Sequence, residues 1–261
     1  MNDSWQSGNS YDKFMGRWSA LVARKFLKWL SVPPGKTWLD VGCGTGTLTR
    51  LILKEQNPEG ILAVDSSHDF ISHAQKNITS PLVRFKVGLA QSLELPSGAI
   101  DAVVSGLVLN FVPDPEAAIT EMKRVARPDG TIGVFLWDYA EGMQMLRFFW
   151  DAAVELDRGA EESDEGLRFP LCRKGALESL FLKAALKQVE SRTIEVKTVF
   201  RNFDDFWEPF LEKVGPAPGY VMGLGEKDRQ KLETKLRKSL PTASDGSIPL
   251  MARAWAVKGR T

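Results

Sequence analysis

Little in these 261 residues is suited to metal or redox chemistry. There are two cysteines and two histidines. Cys43 and Cys172 lie far apart without metal-type spacing, so neither a disulfide framework nor a zinc site is supported, and no metal is expected. His68 and His73 share one predicted helix and read as surface residues. Net charge is scarce as well. Thirty-four basic against 33 acidic residues leave +1, which gives no field over the whole protein to attract nucleic acid or an acidic membrane. No uncharged run is longer than 102–113, which is too short to span a bilayer. The opening stretch is polar and has no apolar signal core. Repeats and low-complexity tracts are lacking. The expectation is a soluble, cytoplasmic, ordinary globular chain, monomer or homodimer, whose partner is neither nucleic acid nor a membrane.

What is present is a rhythm. Trp18, Leu21, Val22, Phe26, Trp29 and Leu30 fall on one helical face, and Pro33, Pro34 and Gly35 end that helix. Short β-branched runs then alternate with helical patterns: "TWLDVG", "GILAVD", "LVRFKVG", "IDAVVSGLV" and, after the turn "RPDG", "TIGVFLWD". This alternation predicts a doubly wound α/β sheet covered on both faces. It breaks after Asp138. Two further strands, "IEVKTVFRNF" and "IPLMARAWAVKG", come late, with helical inserts before and between them. The expected organisation is a helical lid over 1–35, a ligand-binding core over 36–138, and helical cap inserts with the last two strands over 139–261. The stretch "EKDRQKLETKLRKSL" reads as a solvated amphipathic helix.

The stretch "LDVGCGTGTLT" carries the first chemical signal. Gly42, Gly44 and Gly46 follow a strand and open a helix, where glycine permits positive φ and close approach of a ligand to backbone. Asp65 ends the next strand, where a carboxylate can accept both hydroxyls of a ribose. A dinucleotide fingerprint would need a third glycine where Thr47 stands. Asp40 would also repel a pyrophosphate, but it suits a ligand with an ammonium group and no phosphate.

With "LDVGCGTGTLT", the acid in "AVDSS", "AQSLELPSGAIDAVVS" and "EMKRVARPDGTIGVFLW", the chain resembles the class I S-adenosylmethionine-dependent methyltransferases, in the group like the ubiquinone/menaquinone-biosynthesis enzymes. The resemblance implies a Rossmann-like, seven-stranded, mostly parallel sheet with its last strand antiparallel. It also implies S-adenosyl-L-methionine as cofactor. Asp40 and Gly42 would hold the methionine amine, Gly44 and Gly46 would allow backbone approach, Asp65 would take the ribose, and Ser66 would border the adenine. Cys43, Gly106 and Leu107 belong to the same lining. "GLAQSL" has Leu89 where the family has an aspartate on the adenine, which leaves Ala90 and Gln91 as candidates there. "YDKFMGRWS" resembles a family element in which Tyr11 and Met15 lie over the methionine end and Arg17 pairs with its carboxylate.

Transfer of a methyl group requires alignment with an acceptor and, for a hydroxyl or amine, loss of a proton. No clear base stands out. Asp138, at the end of the fifth strand, is the candidate, with Asn110 where relatives often carry histidine. Trp137 would border the acceptor, and Phe203, Trp207 and Tyr220 in the aromatic inserts would line its pocket. The expected activity is methylation of a small organic molecule. A cofactor-binding regulator without turnover and an RNA or protein methyltransferase are the alternatives.

Overall fold

The computed structural model describes residues 15–212 and 215–261. Seven strands make one sheet in the order β3-β2-β1-β4-β5-β7-β6. They are β1 (Thr37–Val41), β2 (Gly60–Asp65), β3 (Val83–Val87), β4 (Ile100–Gly106), β5 (Ala126–Trp137), β6 (Lys187–Phe200) and β7 (Ile248–Arg260). Neighbours from β3 to β5 run parallel, and β7 is antiparallel to both β5 and β6. The fold is therefore the expected doubly wound, Rossmann-like one. Leu39, Ala63, Val103 and Val104 in its central strands are fully buried, as a sheet covered on both faces requires. The strand β5 begins at Ala126, ahead of "RPDG", and Asp129 within that stretch takes a φ of +61°.

The first helix, α1 (Arg17–Leu30), buries Trp18, Val22, Phe26 and Leu30, with Ser19, Ala23 and Leu27 beside them. Leu21, read from the sequence as part of this stripe, turns outward and is 38% exposed. The helix stops at Ser31, whose φ of +53° is left-handed, just before the two prolines. It crosses β5 at Gly133. A Cβ there would stand 2.7 Å from Leu30 Cδ2 and 2.9 Å from Phe26 Cζ, so these two side chains lie against the strand only because residue 133 has none. Beside this contact Phe26 packs on Phe135 at 4.7 Å.

Three helices alternate with the parallel strands: α2 (Thr47–Glu55), α3 (His68–Asn77) and α4 (Pro115–Val125). Ser67 caps α3 and Asp114 caps α4 through side-chain oxygens that accept from Phe70 and Ala117 N–H. The inserts add α5 (Gln144–Leu156), α6 (Glu165–Arg168), α7 (Ala176–Lys183), α8 (Phe203–Trp207), α9 (Pro216–Gly223) and α10 (Glu226–Ser239). Their aromatic rings pack mainly on one another. Phe149 stacks on Phe210 at 4.6 Å, Phe206 meets Phe200 and Phe210 at 5.3 Å each, and Tyr220 meets Trp150 at 5.7 Å. The apolar side of α10, Leu232 and Leu236, is buried in the same mass. One cluster of buried residues runs from Met15 to Val257 and joins sheet and inserts. Among the described residues, no helix is long and apolar enough to cross a membrane.

Candidate functional site

A cavity of about 660 Å³ opens over the carboxyl ends of β1, β2, β4 and β5, where open α/β sheets receive ligands. Two carboxylates stand in it. Asp40, on β1, is 1% exposed, and its Oδ2 accepts the Thr49 hydroxyl at 2.6 Å. Its Oδ1 is buried with no partner. Burial pushes the carboxyl up to about 7; the Thr49 hydrogen bond works against this, and nearby Asp65 adds to it. Asp65, at the end of β2, accepts Gly44 N–H on Oδ2 and Ser67 N–H on Oδ1, both at 2.9 Å. Burial raises this carboxyl too, against the backbone N–H groups of Ser67, Gly44 and Ser66.

The glycine turn between them differs in one respect from a phosphate cradle. The amides of Gly42 and Cys43 both donate to Val64 O, that of Gly44 to Asp65, and that of Gly46 to Cys43 O. These four donors are engaged within the protein, so the turn presents carboxylates and open space instead. Gly42, at φ +74°, lies so close to Val108 that a Cβ would stand 2.4 Å from its Cγ1, whereas a Cβ on Gly44, at φ +52°, would meet nothing within 4 Å. Burial drives the Cys43 thiol well above its ordinary value, so it stays protonated.

The rest of the lining comes from loops and from α1. Ser66, Ser67 and Phe70 follow β2, and Gly88, Leu89, Ala90 and Gln91 follow β3. Leu89 is 57% exposed at the rim. After β4, Leu107 holds a left-handed φ of +64°, a conformation that costs a non-glycine residue on the order of 1–3 kcal/mol. Its N–H bonds Phe135 O at 2.8 Å, and that contact with β5 keeps it there. Val108, Phe111, Phe135, Trp137 and Tyr139 form an apolar wall, with Met15, Ser19 and Ala23 closing it from the side of α1.

Of the residues singled out from the sequence, Met15, Asp40, Gly42, Cys43, Gly44 and Asp65 line this cavity together, as do Ser66, Ala90, Gln91, Gly106, Leu107 and Trp137. Tyr11 lies outside the described residues. Several others need correction. Gly46 caps α2 and packs against Ile78, not the cavity. Arg17 faces away: its Nη1 donates to Asp205 Oδ1 at 3.1 Å, and its guanidinium lies over the rings of Trp18 and Phe200. Asp138 is 1% exposed and bound on both oxygens, by Glu141 N–H at 3.1 Å and by Arg253 Nε at 2.7 Å. It is a structural ion-pair partner and does not reach the cavity. Asn110 sits in the short turn Leu109–Phe111 without lining the cavity, its Nδ2 buried and unpaired. Phe203 stacks on Trp207 under Arg237, and Tyr220 meets Phe149 and Trp150, so these three rings serve the cap's interior.

Sequence reasoning passed over Tyr139, Phe135, Phe111 and Ser19. A signal for two of them was present. Residues 135, 137 and 139 alternate, and a strand sends alternate side chains to one face.

Residues 39–134 match the family model described as a methyltransferase domain. A demethylmenaquinone methyltransferase of Lactobacillus johnsonii is 34% identical over 116 residues, 42% of this chain and 48% of that protein. A 2-methyl-6-phytyl-1,4-hydroquinone methyltransferase of Synechocystis is 27% identical over 221 residues, 82% of this chain and 64% of the relative. The chain thus spans less than two thirds of the curated relatives it matches. Among solved structures, phosphoethanolamine N-methyltransferase 2 of Haemonchus contortus, in complex with S-adenosylhomocysteine, superposes with a TM-score of 0.59. That likeness has 15% identity and covers 97% of this chain and 56% of the other, and it is one of fold.

Proposed function

We propose that this protein, whose core belongs to the class I S-adenosylmethionine-dependent methyltransferases related to the quinone enzymes, transfers a methyl group to a small hydroxylated aromatic molecule. The observation that carries the reading is the unpaired Oδ1 of Asp40. A buried carboxylate oxygen without a protein donor is costly unless a ligand cation meets it. The ammonium of an amino acid does so, and the pyrophosphate of a dinucleotide does not.

The remaining lining fits the same cofactor. Asp65 would take the ribose hydroxyls on the lone pairs left beside the Gly44 and Ser67 bonds. Ser66, Phe70, Leu89, Ala90 and Gln91 would border the adenine, and Met15, Gly106 and Leu107 would enclose the methionine end. S-adenosylmethionine, when bound, supplies a methyl group on a positively charged sulfur. The chain's own part is to align the acceptor and exclude water, which the rings of Phe111, Phe135 and Trp137 are placed to do. Among the described residues, the ionisable side chains lining the cavity are Asp40, Cys43, Asp65 and Tyr139. The two acids face the cofactor and the thiol stays protonated, so no strong base among these described lining residues serves the acceptor. An electron-rich ring with its own acidic hydroxyl suits such a site. The flat aromatic wall and the names of the two quinone relatives point the same way.

The test is a calorimetric titration with S-adenosylhomocysteine, then incubation with methyl-labelled S-adenosylmethionine and a panel of alkyl hydroquinones and phenols. Saturable binding at one site and label in the organic extract are expected. No binding at millimolar product would overturn the cofactor. Binding without transfer to any phenol would overturn the acceptor class and leave a cofactor-binding protein.

A further inference from the structure

Polarity across the cavity follows the order of the strands. Asp65 and Asp40 stand over β2 and β1, whereas the lining over β4 and β5 is Val108, Phe111, Phe135 and Trp137. The helix α1 belongs to this apolar half. Among the strands it packs chiefly on β6, β7 and β5, at the opposite end of the sheet from β2.

Helix and strand exchange bulk along their contact. At Gly133 the strand has no side chain, and Leu30 and Phe26 fill the space. Phe26 also lies on Phe135, with ring centroids 4.7 Å apart. Gly133, Phe135 and Trp137 alternate along β5 and so share a face. Nearer the cavity it is the helix that turns small. Ala23 and Ser19, four residues apart and hence on one side of α1, line the cavity, and the rings of Phe135 and Trp137 line it too. A helical side chain leans toward the N-terminus of its helix. Anything larger at 23 would therefore reach over the turn that carries Ser19 and into the space before those rings. We propose that Ala23 sets the breadth of ring the acceptor half admits: its single methyl leaves room for a fused, two-ring hydroxylated aromatic, which a longer side chain there would exclude. This assignment deepens the methyltransferase reading of the same cavity and rests on it.

Wild type and Ala23→Leu are each loaded with S-adenosylhomocysteine and titrated with phenol and with 2-naphthol, which keeps the hydroxyl and adds one ring. The wild type is expected to bind 2-naphthol at least about tenfold more tightly, because the second ring buries further apolar area. In the variant that preference should fall by about tenfold or more, the size of an overpacking penalty, while product affinity stays within about threefold. The melting temperature should hold, since leucine is a good helix former. A merely structural role predicts the reverse, a lower melting temperature with the preference unchanged. Ala23→Met, unbranched and flexible, repeats the comparison should the leucine variant fold poorly. Failure of both variants to fold overturns the assignment, because a side chain that faces the cavity has room. So does an undiminished preference in a folded variant, a wild type without the preference, or a tenfold loss of product affinity, which would set residue 23 against the cofactor. A wild type that does not take up S-adenosylhomocysteine sinks the cofactor reading, and one that takes it up but binds neither probe sinks the aromatic acceptor; the Ala23 assignment falls with either.

Discussion

Arg253 reaches from β7 to Asp138 just past the end of β5, its Nε 2.7 Å from Oδ2, while the Asp138 amide donates back to Arg253 O at 2.9 Å. The same guanidinium continues to Glu141 at 3.1 Å. This pair fastens the last strand to the turn that leads into the inserts. Asp138→Asn should therefore lower stability by roughly 2–3 kcal/mol, less than a fully buried pair because Arg253 is partly solvated. Urea denaturation measures it. Affinity for S-adenosylhomocysteine should stay within about threefold. An unchanged unfolding midpoint with lost methyl transfer would restore Asp138 as the proton acceptor.

Asp40 must shed its proton before it can hold a cation. With its carboxyl at about 7, affinity for S-adenosylhomocysteine should be flat above that value and fall as pH drops through it. Well below, the loss approaches about tenfold per pH unit. Titrations from about pH 5.5 to 8.5 read this directly. Asp40→Asn should bind weakly at every pH in that range, and a wild-type curve without the break near neutrality would refute the role.

Stability should show the opposite trend. Burial raises Asp40 from 3.8 to about 7 and Glu165 from 4.5 to about 7. The folded chain thus binds both protons more tightly than the unfolded one. Their contribution is full below the unfolded values and is lost as pH rises through about 7. The unliganded protein should melt higher at pH 6 than at pH 8. Glu165 accepts the Trp150 indole N–H, and a glutamine oxygen can do the same. Glu165→Gln should flatten the slope and raise the melting temperature at pH 8; a steeper slope would contradict this account.

Asp65→Ala removes the acceptor of two backbone N–H groups together with the proposed ribose contact. Hydrogen bonds to a charged group are worth about 1.5–3 kcal/mol each, so product affinity should fall by about tenfold to a few hundredfold. Calorimetry on the folded variant decides, and unchanged affinity would sink the adenosyl assignment.

Arg17 ties the start of α1 to α8 through Asp205, whose carboxyl burial pushes up but whose bonds to Arg201 N–H and Arg17 hold it below its ordinary value. Arg17→Ala should cost about 1 kcal/mol of stability, an amount suited to a partly exposed pair, and change product affinity by less than about threefold. A tenfold loss of affinity at unchanged stability would return Arg17 to the ligand.

The parts of the site that the sequence made legible are local. Asp40, the turn at 42–44 and Asp65 lie at the ends of consecutive strands, and strand, turn and helix each have a short-range signature. Residues whose roles depend on distant chain were misread. The partner of Arg17 lies 188 positions away and that of Asp138 lies 115 away, and both compete with the ligand roles suggested by their neighbours in sequence. For Phe203, Trp207 and Tyr220 the composition announced burial but not direction, and mutual packing in the inserts claimed them. Tyr139 stood two places past Trp137, in phase with it, yet just beyond the strand on which that phase is read.

The bare α-carbon of Gly133 also sets a dimension at a distance. The helix that rests on it runs back to Ala23 and Ser19 on one side of the cavity, about two and three turns from Leu30, and the strand that contains it runs on to Phe135 and Trp137 on the other. The two walls are thus gauged by a shim of zero thickness. A single methyl inserted at 133 would wedge helix from strand and widen the cavity between them, without touching anything bound in it. The aperture of this site is written in the backbone behind it as much as in the side chains that face it.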